Sequence, residues 1–531
     1  MPQQVCKISN SNELQRPIAV LTCEISAFQR AVEATMAADI SASGRAGWLQ
    51  DSVKSMDYKT LISLLVLYLV TLLLIRWVLL TRKSQPLSTI AWILAIIMLP
   101  YLGGLLFLFF GINRVERRKR TRRAATRNLA EHLPSLNHYE FSSDCPFGEE
   151  QQQLVRLIRN TADTVPTAGN QVDLYSDTNV TLRRIEEAIE SAQESIHLEY
   201  YIWRPDATGT RLRDLLVAKA RQGVTVRFLY DGFGSLWLTR RFLRPMTEAG
   251  IHVATFLPGQ SLRERWSINL RNHRKIVVVD GRTAFTGGMN IGDEYIGRNK
   301  VFGFWRDTHL RVRGAAVLQL QRVFAEDWYY ATGEELTAPD RFPEPDEAGD
   351  VCAQVVSSGP DNSVPAFHAL VFTAINSAQK RLTLATSYFV PTVALAMALE
   401  TAASRGVHVR LLVAGKSAHH WTVLAGRSYY ESLLEAGVEI HEYRRGILHS
   451  KTLTFDGEWS LVGTANFDSR SMLLNFEVGV ALYDEEIAGQ LDAQYDEDIR
   501  HARRIDPHVW RQRPLRGVLL ENICRLFSPV M

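Results

Sequence analysis

The chain is poor in cysteine and lacks any cysteine pattern. Cys6, Cys23, Cys145, Cys352 and Cys524 are odd in number, widely spread, and form no CxxC pair. That spacing excludes a structural zinc site and implies a reducing compartment, with each thiol acting as a small buried hydrophobe. Charge excess is also lacking: +3 over 531 residues is too little to argue for a nucleic-acid partner. Residues 1–55 carry no signal-peptide core and little pattern. Residues 1–57 therefore read as a poorly ordered extension. Met56 stands directly before the first apolar run, and we expect the working protein to start there.

Apolar sequence is abundant: 46% of residues are hydrophobic and 22% charged, an ordinary balance for a chain that buries a large core. Two apolar runs, 61–80 and 90–110, each have about the length of a bilayer-spanning helix. Arg76 is the one charge, near the end of the first run, where it can snorkel. The second run holds Pro100, Gly103 and Gly104, which membrane helices tolerate. Only TRKSQPLST separates the runs, so residues 58–112 read as a transmembrane helix hairpin. The sequence NRVERRKRTRR follows at once, with seven basic residues from Arg114 to Arg123 against Glu116. The positive-inside rule puts everything from residue 113 onward in the cytoplasm. The basic segment, 113–165, also suits anionic lipid headgroups.

From about residue 170 the chain repeats itself. AIESAQESIHLEYYIWRP (188–205) is echoed by AINSAQKRLTLATSYFVP (374–391), and GVTVRFLYDG (223–232) by GVHVRLLVAG (406–415). EAGIHVATF (248–256) is echoed by EAGVEIHEY (435–443). Helix-period stretches alternate with short β-branched runs, the mark of an α/β fold. Two halves of one fold, 166–335 and 351–500, imply pseudo-twofold symmetry. A Pro-rich, acidic linker (336–350) separates them, and an Arg- and Leu-rich amphipathic tail (501–531) follows, suited to a membrane surface or to packing on the body.

Chemistry enters with a motif present twice. The first copy is His273, Lys275, Asp280, Gly287, Gly288 and Asn290; the second is His449, Lys451, Asp456, Gly463 and Asn466. Offsets from His to Lys, Asp, Gly and Asn are 2, 7, 14 and 17 in both. H-x-K before an apolar stretch predicts a strand start with both side chains on one face. Asp-Gly predicts a hairpin turn that returns each Asn to the level of its His. The glycines are expected to leave room for a bulky ligand. Lysine charge and amide donors suit phosphate, and a histidine serves as nucleophile or general acid. Displacement at phosphorus through a covalent intermediate needs two histidines, which the repeat supplies. A lysine two residues from each histidine argues against metal binding, and no cofactor is expected. His197, His309, His419, His420 and His441 lack any partner pattern and read as structural or surface residues.

The duplicated H-x-K-x4-D-x6-G-x2-N resembles the phospholipase D superfamily. The hairpin and basic run resemble the membrane-hairpin family of bacterial cardiolipin synthases. The resemblance covers most of the chain from about residue 57. It implies metal-independent, two-step transfer through a phosphatidyl-histidine: one phosphatidylglycerol donates its phosphatidyl group, a second accepts it, and cardiolipin and glycerol result. It implies His273 as nucleophile and His449 as acid–base partner, which spacing alone leaves open. It also implies a carboxylate after each motif that orients the partner imidazole; Asp307 (in WRDTHLRV) and Glu477 (in NFEVGVAL) are the candidates. Asp280 and Asp456 belong to the family motif, although their turn positions favour a structural role. Ser469 and Arg470 are placed to shape the second half-site. The expected home is the bacterial inner membrane, multi-pass, with the catalytic body on the cytoplasmic side beside anionic lipid. Rival readings are a hydrolytic phospholipase D or a phosphatidyltransferase using another alcohol, a nuclease of the same superfamily, and a scaffold with a degenerate site. Two intact motifs oppose the last, and the hairpin opposes the nuclease.

Overall fold

The structure, a computed structural model, describes residues 58–81, 86–107, 147–256, 270–417 and 419–527, with isolated positions at 122, 126, 128, 129, 132–134 and 145. The expectations for residues 1–57, including Met56, lie outside the described residues. The chain divides into two compact units, residues 1–113 and 114–531.

In the first unit the first apolar run forms one continuous helix, Tyr58–Thr81. The second run is divided into helices Pro86–Met98 and Pro100–Leu106. Proline has no N–H to donate and clashes with the preceding turn, so the helix breaks at Leu99 and restarts with Pro100 in its first turn. Gly104 lets the segments approach: a Cβ there would come within 2.7 Å of Leu74 Cδ1. Val78, Ile96 and Phe107 form the small core, with Phe107 edge-on to Trp77 and Trp92. Among the described residues, one helix is long and apolar enough to cross a membrane.

The second unit contains the repeat. Its first half comprises β1 (Thr167–Asp177), β2 (Ser195–Tyr200), β3 (Thr225–Asp231), β4 (His252–Phe256), β5 (Arg271–Asn272), β6 (Lys275–Val279), β7 (Thr283–Gly287) and β8 (Phe304–Arg313). Its second half comprises β9 (Val351–Ser358), β10 (Arg381–Thr386), β11 (Phe389–Val390), β12 (His408–Ala414), β13 (Glu439–Tyr443), β14 (Gly446–Leu448), β15 (Lys451–Phe455), β16 (Trp459–Gly463), β17 (Phe467–Asp468) and β18 (Asn475–Tyr483). Strand order in the first half is 4-3-2-6-7-8-1, with 2, 3 and 4 parallel and the rest antiparallel. The second half reads 13-12-10-15-16-18-9 in the same senses. Each parallel strand is reached through a helix, and side chains set the starts: Asp177 caps Thr178–Ser191, and Thr392 caps Val393–Ser404.

The halves join through strands. β1 pairs antiparallel with β9. The faces between them share a core in which Ile276, Val278, Leu310 and Val312 meet Val355, Val462, Val478 and Val480, all buried. Alternate residues of each strand therefore point into the seam, and burying each is worth about 1.5–3 kcal/mol.

Three parts of the chain differ from the sequence-based division. Helix Glu149–Ala162 packs Leu154 and Ile158 into the core of the second half, although it precedes the first half in sequence. Arg122, read as part of a basic juxtamembrane run suited to anionic lipid, is buried and paired with Asp327 and Asp361. The tail adds β19 (Ala502–Arg504) to the edge of β13 and ends in helix Leu515–Leu526, with Cys524 buried in the second core. The cysteine reading is corrected as well. Cys145 and Cys352, separated by 207 positions, form a disulfide, so scattered cysteines carry no argument for a reducing compartment. Folding alone brings them together, which spacing along the chain could not reveal.

Candidate active site

Each motif histidine sits in a two-residue gap between a short strand and the longer strand that its lysine begins. The short strand leaves its own half. β5 runs parallel to β18, with Arg271 opposite Asn475 and Asn272 opposite Phe476. β14 runs parallel to β8, with Leu448 opposite Arg306. The His273 N–H donates to the Phe476 carbonyl at 2.9 Å, and the His449 N–H to the Arg306 carbonyl at 2.7 Å. The residue after each acceptor is the carboxylate predicted to orient the partner imidazole. Nδ1 of His273 is 2.9 Å from Glu477 Oε2, and Nδ1 of His449 is 2.7 Å from Asp307 Oδ2. Each imidazole is thus fixed by the opposite half, through its backbone and through its ring.

Electrostatics follow from burial. All four groups are at least nine-tenths buried. Burial lowers both imidazoles to about 4, outweighing their carboxylates. Burial alone would raise Glu477, yet His273 and Lys275 hold it down to about 2. Asp307 is likewise lowered against burial, by His449 and Lys451. An ionised carboxylate only accepts, so each Nδ1 carries a hydrogen and each Nε2 is left for chemistry. Burial also lowers Lys275 to about 7 and Lys451 to about 8. The Lys275 charge acts on His449 and the Lys451 charge on His273, so both motifs contribute to one electrostatic site.

The lysines and asparagines join this cluster. Lys275 Nζ donates to the His273 carbonyl at 2.6 Å, and Lys451 Nζ to that of His449. Asn290 Oδ1 accepts from the Ile202 N–H at 3.2 Å, and Asn466 Oδ1 from Ser387 Oγ at 2.8 Å. With the amide oxygens engaged, the NH2 groups are the ends available to a ligand. Among the described residues, no three His, Cys, Asp or Glu side chains converge as metal ligands.

Asp280 and Asp456 do not join it. The Asp280 carboxylate accepts the N–H groups of Gln193, Glu194 and Ser195, each at 2.8 Å. Asp456 does the same for Gln379, Lys380 and Arg381. Both have φ near +55° in their turns, a conformation aspartate tolerates. They fix the far end of the hairpin. The glycines also differ from expectation, because protein rather than ligand fills the space they leave. A Cβ on Gly288 would collide with Asp307 Oδ1 and lie 2.8 Å from the His449 carbonyl; one on Gly463 would lie 2.5 Å from the Val478 carbonyl. Gly288 thereby admits the second half's histidine into the first half's wall.

Ser469 contributes its hydroxyl to the Val390 carbonyl at 3.3 Å and begins a short helix capped by Asp468. Arg470, on that helix, lies within electrostatic range of Arg271 and Tyr201. Sequence reasoning missed the groups that flank the imidazoles. The Tyr201 ring is 4.9 Å from that of His273, and Trp305 is 5.3 Å from His449. Sequence reasoning had no lead to Tyr201 in the repeat, since Ser387 occupies the same place in the echoed segment. It also missed Arg274, which is tied to Asp327 and donates to the Glu477 carbonyl at 3.2 Å, and so holds β18 against the site. Of the other histidines, His197 is buried against Phe324 and bonded to Gln321, and His309 is buried beside Gly287.

Known proteins place this geometry. The family description "Cardiolipin synthase, PLD-like domain" matches residues 185–328 and 371–499, one stretch in each half. "Phospholipase_D-nuclease N-terminal" matches residues 69–111. The chain is 41% identical over 455 residues to a cardiolipin synthase of Geobacillus kaustophilus, covering 85% of this chain and 90% of that one. It is 37% identical over 475 residues to cardiolipin synthase 1 of Bacillus anthracis, covering 88% and 93%. The crystal structure of phosphatidylserine synthase from Haemophilus influenzae Rd KW20 shares the fold, with TM-score 0.55 and 14% identity over 72% of this chain and 98% of that one. A duplicated motif, one stretch of the family in each half and this identity over most of the length make the chain a member of the cardiolipin synthase family, phosphatidyltransferases of the phospholipase D superfamily.

Proposed function

We propose that the protein joins two phosphatidylglycerol molecules into cardiolipin and glycerol through a phosphatidyl-histidine at His273. The observation that carries this reading is the crossed pairing of each imidazole with the opposite half's carboxylate. In the first step His273 Nε2 attacks phosphorus, the bond from phosphorus to the glycerol oxygen breaks, and His449 Nε2–H gives that oxygen its proton. In the second, His449 Nε2 takes the proton from the hydroxyl of the second phosphatidylglycerol. That oxygen attacks phosphorus, the P–N bond breaks and neutral His273 returns. Both imidazoles are neutral before substrate binds, which suits the nucleophile. The bound phosphodiester anion favours the imidazolium that His449 needs as an acid. Lys275, Lys451, Asn290 and Asn466 hold the phosphate oxygens, and Glu477 and Asp307 position the rings.

The test uses the purified full-length protein with phosphatidylglycerol in mixed micelles, and mass spectrometry of the products. Cardiolipin with equimolar glycerol is expected; phosphatidic acid without cardiolipin would show that water is the acceptor.

The protein is proposed to be held in the bacterial inner membrane by its apolar segments, both crossing the bilayer, with the catalytic unit on the cytoplasmic side. The basic run after the second segment favours that side, whereas the Cys145–Cys352 disulfide favours an oxidising one. A fluorescent-protein fusion at the C-terminus should glow, and an alkaline phosphatase fusion there should be inactive. The reverse pattern places the catalytic unit outside.

A further inference from the structure

The repeat places two matching loops beside the histidines. One follows β3 and leads into helix Arg240–Glu248; the other follows β12 and leads into helix His420–Arg427. An outward tryptophan marks each: Trp237 in the first loop is 66% exposed, and Trp421, in the first turn of the helix after the second, 62%. Counted from the equivalent glycines, Gly223 and Gly406, the two fall 14 and 15 positions on. Phe233 and Leu236 extend the first loop's exposed apolar tip.

Both loops are tied to the site. Asp231 Oδ1 accepts the N–H groups of Phe233 and Gly234. Ser235 Oγ donates to the carbonyl of Tyr201, the residue whose ring meets His273. The Arg271 guanidinium lies 3.7 Å from the Phe233 ring centroid, two residues before that histidine. On the other side the His419 ring lies 6.2 Å from Tyr388, which follows Ser387, the counterpart of Tyr201 and the partner of Lys451 and Asn466. The tips are thus exposed aromatics on a fixed base, where burying them inside this chain would have stabilised the fold.

Charge selects what covers them. No Asp or Glu lies between 232 and 247 or between 415 and 430, whereas Arg240, Arg241 and Lys416 are exposed there. The last helix packs beside His420–Arg427 and leaves Leu515 and Leu519 exposed; its one acid, Glu521, is buried and paired with Arg513. Aromatic tips set among cations match the interfacial layer of an anionic bilayer, where an indole lies between headgroup and acyl chain.

We infer that the face carrying Trp237 and Trp421 seats on an anionic lipid surface, one tryptophan from each half anchoring either side of the active site. This rests on the phospholipid reading of the site, since a lipid-facing mouth serves a lipid substrate. Full-length protein in vesicles of phosphatidylglycerol and phosphatidylcholine, with and without brominated acyl chains, tests it by tryptophan fluorescence. The difference between wild-type and W237F/W421F emission isolates these two indoles. We expect that difference to fall at least about twofold on bromination, as for indoles at the acyl boundary. We also expect W237A/W421A to raise KM, expressed as surface concentration, about fivefold with kcat and thermal unfolding little changed. A difference spectrum indifferent to bromination overturns the inference, and single W237F and W421F variants give the same answer if the double variant does not fold. Product analysis runs separately. Quenching with phosphatidic acid as product leaves the surface standing and sinks the synthase reading; cardiolipin without quenching does the opposite.

Discussion

The two half-sites use the same motif but surround their imidazoles differently. Glu477, which holds His273, also accepts from Thr464 Oγ1 at 2.6 Å and Asn475 Nδ2 at 3.1 Å. Asp307, which holds His449, also accepts from the Thr308 N–H at 2.8 Å, and has a shorter bond to its imidazole. A carboxylate whose charge is spread over more donors favours imidazolium less. Lys275 lies over the Tyr201 ring at 5.4 Å, whereas Lys451 donates to Ser387, which in turn bonds Asn466. The difference teaches that duplication supplied two histidines in unlike surroundings, which suits the division of tasks we propose: His273 to attack and His449 to carry the proton.

The largest effects break the pair itself. H273A and H449A should each lower turnover by about 10⁴-fold or more. A phosphodiester with an acidic leaving group should restore the first step to H449A, because no proton is then needed, and should not restore it to H273A. Equal rescue of both would mean the two roles are not divided. Next come the orienting carboxylates. E477Q and D307N should each cost about 10²–10⁴-fold in kcat, the amide favouring the wrong ring tautomer or orientation; D307N alone should improve with the acidic leaving group.

K275M and K451M should cost about 10²–10³-fold in activity, as expected for losing a charge that faces phosphate. They should also raise Tm, because burial of each ammonium works against folding at neutral pH. In the wild type kcat/KM should fall at high pH as Lys275, near 7, and Lys451, near 8, lose their protons. Stability should vary too. The imidazoles titrate near 4 when folded against an ordinary 6.5. Between those values the unfolded chain binds protons that the folded chain refuses, so Tm drops as pH falls from 6.5 towards 4. H273N/H449N should flatten that slope. The smallest catalytic effects belong to D280A and D456A: about 1–3 kcal/mol of stability from three backbone donors left without their acceptor, with kcat retained in the folded fraction. A large kcat loss in soluble, folded D280A would return that aspartate to the chemistry.

Much of this was legible in the sequence, because fixed spacing on a hairpin dictates which residues meet. His273 and Lys275 share a strand start, and the Asp280 turn brings back Asn290. Asp307 and Glu477 were legible only as carboxylates ahead of strand-like runs. Their crossing to the opposite histidine depends on β5 and β14, which at two and three residues are too short to show any periodicity. The glycines were misread because a gap in a sequence does not say what fills it; at Gly288 it is Asp307 and the His449 backbone. Arg122 was hidden in a run of arginines, since composition does not reveal which one finds Asp327 and Asp361. Pro100 was visible, but hydropathy alone does not say whether an apolar run tolerates it or breaks there.

The proposed mechanism requires a covalent bond from phosphorus to one histidine. Full-length H449N, incubated with a phosphatidyl donor bearing an acidic leaving group, rapidly quenched and digested under mildly basic conditions that preserve P–N bonds, should give one lipid-modified peptide. Mass spectrometry should place the phosphatidyl group on His273. Modification of a different residue, or product formed in a burst with no modified peptide, would contradict it.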